Sequence, residues 1–205
     1  MHHNLKMIFA IWMIGVFLGS PFGINDASAR IVQPGLGIGG NYSQTSRTAP
    51  VTTGSGPSAV TEQKEFTSSG FGTAATGDLT FYQENWAGFR LSADWMRLNT
   101  SGDDRLLGSA WFASGLLIFN FDLTKSRNVR FDAGAGYARG WYSTQSARFG
   151  NGATLATVDS GLVLEAKAMF RVKASHYIFL AAKYFVMSEL NPKLMPLSMT
   201  VGFDF

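Results

Sequence analysis

Period-two alternation governs this chain. In segment after segment an apolar residue falls on every second position, opposite small or polar neighbours, which is the pattern of strands with one greasy face. The last nine residues, LSMTVGFDF, put Leu197, Met199, Val201, Phe203 and Phe205 on one face and Ser198, Thr200, Gly202 and Asp204 on the other. GLGIGGNY aligns Leu36, Ile38 and Tyr42, and FGTAATGDLTF aligns Phe71, Thr73, Ala75, Leu79 and Phe81. GFRLSADW sets Phe89, Leu91, Ala93 and Trp95 against Arg90, Ser92 and Asp94. RLLGSAWFASGLLIFNF, Arg105 to Phe121, is apolar almost throughout. NVRFDAGAGYARGW sets Val129, Phe131, Ala133, Ala135, Tyr137 and Trp141 against Arg130, Asp132, Gly134 and Gly136. SGLVLEAKAMFRV sets Leu162, Leu164, Ala166, Ala168 and Phe170 against Val163, Glu165, Lys167 and Arg171. HYIFLAAKYFVM puts Ile178, Leu180, Ala182, Tyr184 and Val186 opposite Lys183.

These segments make eight predicted strands, and a tilted strand of about 9–11 residues crosses a bilayer. The linkers alternate in length. ENWAG (Glu84 to Gly88), LTKSR (Leu123 to Arg127) and KAS (Lys173 to Ser175) are short. The stretch from Ser43 to Phe66, NTSGDD (Asn99 to Asp104), Thr144 to Thr157 and SELNPK (Ser188 to Lys193) are mostly longer and polar. Short turns at one end and longer loops at the other, on an even strand count, describe an all-β, single eight-stranded antiparallel transmembrane β-barrel. The Ser/Thr/Gly-rich segment 43–66 reads as a mobile outer loop.

Composition agrees. Charged residues make up 15% of the 205 residues, against about 25% in an average soluble chain. The chain is rich in Gly, with 23, and in Phe, with 17, and aromatics at this level disfavour disorder. The net charge of +3, without a basic cluster, gives no footing for nucleic acid. The absence of Cys excludes a disulfide scaffold and a thiolate metal site. At the start, Lys6 precedes the apolar run MIFAIWMIGVFLG (Met7 to Gly19), and Ala27-Ser28-Ala29 follows a Pro/Gly break. That order predicts a cleavable signal peptide over 1–29, cut after Ala29, and an exported barrel domain over 30–205.

Charge decides which face is which. A charged side chain facing lipid near the midplane costs about 2–4 kcal/mol, so Arg90, Asp94, Arg130, Asp132, Glu165, Lys167, Arg171, Lys183 and Asp204 should point into the barrel. Eight strands enclose a space just wide enough for side chains, so these charges should pair as a plug. The alternative is that they line a narrow passive channel for small solutes. Phe89, Phe119, Phe121, Phe203 and Phe205 suit an aromatic girdle on the periplasmic side, and Trp95 and Trp141 one on the outer side.

On these residues the chain resembles the small eight-stranded bacterial outer-membrane barrels of the OmpA-like and OmpX-like kind. The terminal strand and FDLTKSRNVRFDAGAGYARG (Phe121 to Gly140) carry the resemblance. It implies that Met199, Val201, Phe203 and Phe205 form the strand read by the barrel-assembly machinery. It also implies an outer-membrane location in a Gram-negative-type bacterium, contact with lipid and lipopolysaccharide, and a structural or surface-interaction role through outer loops. The long segment after the first strand departs from that pattern.

Catalysis finds little support. Small barrels that modify lipid A use a His with a Ser or acidic partner. His176 and Ser175 are adjacent at a predicted periplasmic turn, where strand geometry sends neighbours to opposite faces. The glycine runs GLGIGG and GAGYARG lack the spacing of a nucleotide-binding loop. Asp103-Asp104 supplies too few carboxylates for Ca²⁺. The reading is therefore no enzyme and no cofactor. A soluble lipocalin-type barrel would need its apolar residues inside, against the pattern above.

Overall fold

The computed structural model describes residues 31–54, 60–82, 86–102, 106–123, 128–146, 154–173, 176–187 and 193–205. The expected signal peptide lies outside the described residues, as do Asp103, Asp104 and Ser175. The strands are β1 (Ile31–Thr53), β2 (Val60–Tyr82), β3 (Ala87–Asn99), β4 (Ser101–Gly102), β5 (Leu106–Asp122), β6 (Val129–Ser146), β7 (Thr154–Lys173), β8 (His176–Met187) and β9 (Lys193–Asp204). β4 is a two-residue rung beside β2, and the other eight form the barrel wall.

All neighbouring strands run antiparallel, and β1 pairs with both β2 and β9, so the sheet closes on itself. Following paired residues once round, from Tyr82 through Gly88, Ile118, Gly134, Glu165, Lys183, Ser198 and Asn41, returns to β2 at Gly72, a stagger of ten residues. With ordinary strand spacing and rise, that stagger on eight strands tilts them about 40° from the barrel axis.

Alternation then sorts the side chains. Val32, Leu36, Ile38, Leu91, Leu117, Leu162, Leu164, Leu180, Met199 and Val201 are exposed on the outside. The inner ends of the strands carry exposed Phe81, Trp86, Phe89, Phe119, Phe121, Phe203 and Phe205, with Trp86 stacked on Phe119 at 6.2 Å. Toward the outer ends, Trp95, Trp111 and Trp141 lie side by side in register on β3, β5 and β6. Phe131 and Trp141 are ten residues apart on β6. At about 3.3 Å per residue and this tilt, they stand about 25 Å apart along the barrel axis, the height of a membrane barrel's apolar band, with Arg139 exposed at its upper rim beside Trp141. Trp111 escaped the sequence reading because its segment is apolar on both faces and gives no phase.

The largest difference from expectation lies in the segment 43–66. Ser43 to Thr53 and Val60 to Phe66 are not loop but the continuation of β1 and β2, paired from Ser43↔Gly70 to Thr53↔Val60. Thr and Val favour extended backbone, and low hydropathy alone hid the strand. Thr144–Ser146 and Thr154–Thr157 likewise belong to β6 and β7, and Lys193 opens β9.

A charge on the outward face tests this sorting. Leu164→Arg, midway along the exposed face of β7 between Val158 and Phe170, should lower unfolding free energy in lipid vesicles by about 2–4 kcal/mol, read from urea titration of the heat-dependent gel shift.

Candidate functional site

Inside the barrel most of the charged side chains converge in the half that holds Ile31 and Phe205. Arg90 on β3 is the hub. Its guanidinium bonds Asp132 on β6 and Glu165 on β7, and its Nε donates to Thr80 Oγ1 at 2.7 Å, with Asp78 Oδ1 at 3.8 Å. Lys167 on β7 bridges Asp204 on β9 at 2.7 Å and Asp78 on β2 at 3.3 Å, and lies 4.0 Å from the Phe179 ring centre. Lys183 on β8 donates to Asp94 on β3 at 2.8 Å and to Thr76 at 3.0 Å, with Glu165 Oε2 at 3.5 Å. All eight charged side chains are almost wholly buried.

The five carboxylates outnumber the three cations, and neutral donors meet part of the remainder. The Tyr82 hydroxyl donates to Asp132 Oδ2 at 3.0 Å, the Asn120 amide donates to Asp132 Oδ1, and the Ser92 hydroxyl donates to Asp94 at 3.1 Å. Each cation ties its own strand to a carboxylate on a strand that is not its neighbour in the wall. Such ties matter because an ion buried without a partner costs several kcal/mol.

Seven of the nine residues expected inside are in this network: Arg90, Asp94, Asp132, Glu165, Lys167, Lys183 and Asp204. Arg130 is only part-buried at the inner rim, 3.5 Å from Asp122 and stacked 4.9 Å over the Tyr82 ring. Arg171 corrects the expectation: it is exposed near the end of β7, beside the register shift between Arg171 and Lys173, and donates to the Tyr177 hydroxyl at 3.1 Å. Asp78 is a member that sequence reading missed. Its signal was present, because it stands between Gly77 and Leu79, on the face opposite Leu79 and Phe81.

The outer half of the interior is built around an apolar cluster, with Asn41, Ser43 and Asp159 buried alongside it. Phe112 meets Phe185 at 4.5 Å and Tyr142 edge-on at 5.7 Å, and Met96, Leu98, Val163 and Met187 are fully buried with them. GLGIGG finds its meaning here as space. A Cβ on Gly35 would collide with the Asp204 carboxylate and stand 2.9 Å from Asp78 Oδ1, and one on Gly37 would stand 2.8 Å from the Phe179 ring. His176 is exposed at the inner rim, edge-on to Phe205 at 5.9 Å. Among the described residues no group of three His, Cys, Asp or Glu is arranged to hold a metal ion.

The terminal strand occupies the closing position. β9 lies between β8 and β1, with Met199, Val201, Phe203 and Phe205 outward, and the Phe205 N–H donates to the Pro34 carbonyl at 2.9 Å.

The network predicts unequal costs for its members. Arg90→Met should destabilise the barrel by about 3–5 kcal/mol, because it strands two buried carboxylates, whereas Arg171→Met should change stability by less than about 1 kcal/mol in the same urea titration.

No protein-family model and no curated protein matches this sequence. Solved structures do match. Neisserial surface protein A is similar with a TM-score of 0.54 and 12% identity, over 82% of this chain and 95% of that one. The outer membrane protein OprG from Pseudomonas aeruginosa is similar with a TM-score of 0.57 and 12% identity, over 86% of this chain and 96% of that one. At such identity the likeness is one of fold. The chain has the fold of the small eight-stranded outer-membrane β-barrels.

Proposed function

We propose that this protein is exported to the outer membrane of a Gram-negative-type bacterium and works there as a closed scaffold. It holds the outer ends of its strands above the lipid for surface interaction. The outward apolar band, bounded by aromatic residues at both ends, supports the location. The terminal Met199, Val201, Phe203 and Phe205 are the segment offered to the barrel-assembly machinery. Lipid and lipopolysaccharide are the surroundings of the wall.

The single observation that carries the closed reading is the interior itself. Ions entering from the inner end meet Arg90, Lys167 and Lys183, each already bound to two or more carboxylates. Beyond them stands the packed layer of Phe112, Phe185, Met96 and Met187, which offers a hydrated ion few groups to replace a lost hydration shell. A narrow channel needs the opposite arrangement, with wall charges facing water. No catalytic role is proposed. The exposed His176 sits at the inner rim, edge-on to Phe205.

The test is conductance of the refolded protein in a planar bilayer, with its heat-dependent gel shift as proof of folding. Silence is the expected result. Steady current through folded protein would replace the scaffold with a pore. Phe112→Ala combined with Phe185→Ala should leave the wild-type silence broken by brief openings at most, because the charged layer below remains closed.

A further inference from the structure

β1 and β2 continue beyond the barrel as a two-stranded ribbon. On one side β9 accompanies β1 only as far as Ser46, opposite Lys193. On the other, β2 is paired with β3 at Ala74–Tyr82 and with β4 at Ser68 and Ser69. Among the described residues no third strand is paired with Val60–Glu65 or with residues 47–53. An edge of unpaired N–H and C=O groups is a template for another strand.

The two edges differ. The β1 edge contains Pro50, which has no N–H to give. The β2 edge has no proline, and its polarity can be read from the residues nearer the barrel. The Ser69 carbonyl accepts from Ser101 Oγ on the β4 side at 3.3 Å, while the Ser68 carbonyl accepts from Thr45 Oγ1 of β1 at 3.4 Å. The β1–β2 ladder runs in unbroken register from there to Val60. Alternation therefore turns the N–H and C=O groups of Thr61, Gln63 and Glu65 toward the open edge.

The side chains on this edge complement their own reverse order. The stretch reads VTEQKEF, Val60 to Phe66, with Val60 through Glu65 exposed. A two-fold axis perpendicular to the ribbon sets each residue opposite one of the same face. Centred on Gln63, it places Glu62 opposite Lys64 of a second copy, twice over. It also places Thr61 opposite Glu65 and Val60 opposite Phe66. Centred on Glu62, Lys64 or Glu65, the same operation sets like charges face to face, which is destabilising. Lysine on an edge ordinarily blunts it, and in the Gln63 register Lys64 gains a partner instead.

We propose that the Val60–Phe66 edge is a self-association surface, on which a second copy of this chain adds antiparallel across Gln63 to make a four-stranded sheet. Thr61, Gln63 and Glu65 supply the backbone hydrogen bonds, and the two Glu62–Lys64 pairs set the register. Because the strands run in opposite directions, the two barrels lie at opposite ends of the joined sheet. That arrangement suits copies held in two facing membranes. The inference deepens the surface-interaction reading by naming its partner, and it stands or falls separately from conductance.

Two measurements on the refolded full-length barrel test it: sedimentation equilibrium in detergent, and clustering of vesicles that carry the protein. A dimer and clustered vesicles are expected. Lys64→Glu should weaken dimerisation about tenfold by setting acidic groups opposite each other twice, and the exchange Glu62→Lys with Lys64→Glu should restore it. Gln63→Pro removes an N–H that faces away from β1, so it should abolish the dimer while the gel shift shows an intact barrel. A monomer at every concentration, or a dimer indifferent to Lys64→Glu and Gln63→Pro, overturns the proposal.

Discussion

Arg90 is where the constraints on this molecule meet. A guanidinium wholly removed from water survives only if its donors are met, and here they are met by Thr80, Asp132 and Glu165 from three other strands. Those contacts require β2, β6 and β7 to stand at fixed distances and heights around β3. A slip of one residue in any strand would carry its charges from the interior to the outer wall. The ion-pair network is thus less a source of net stability, which buried pairs seldom give, than a device that fixes register. The apolar outer wall enforces the same phase from the other side, since a charge near its middle is costly and exposed Arg139 stands only at the rim, beside Trp141.

The interior divides its work by height. Charge pairing fills the inner half, where Asp78, Asp94, Asp132, Glu165 and Asp204 surround three cations. Aromatic and methionine packing around Phe112 and Phe185 takes up much of the outer half, beside buried Asn41, Ser43 and Asp159. Glycines at 35 and 37 make the first layer possible, because any side chain there would displace a carboxylate or the Phe179 ring. Above this packed interior, strands rise beyond the barrel wall. Among the described residues the β1–β2 ribbon is the longest such extension, and its open β2 edge carries a sequence that suits its own reverse.

Much of this was legible from alternation alone. A period of two with uninterrupted apolar faces admits few solutions. The terminal strand showed both of its faces, and Arg90, Glu165, Lys167 and Lys183 announced the inner side by interrupting otherwise greasy segments. Arg171 misled because it follows the same parity as Glu165 and Lys167 but lies at the end of the wall, where burial ceases. Segment 43–66 misled because a strand that leaves the membrane needs no apolar face, and so loses the signal by which the others were found.

The sequence by itself determined the strand number, the closed topology and the assignment of most side chains to lipid or interior. These follow from local periodicity and from the cost of charge in hydrocarbon. Only the tertiary structure decided the stagger of ten residues, and through it which carboxylate faces which cation. Arg90 and Glu165 are 75 positions apart, and Lys183 and Asp94 are 89 apart. No local pattern encodes such pairings, because they arise from the height at which tilted strands meet across the barrel.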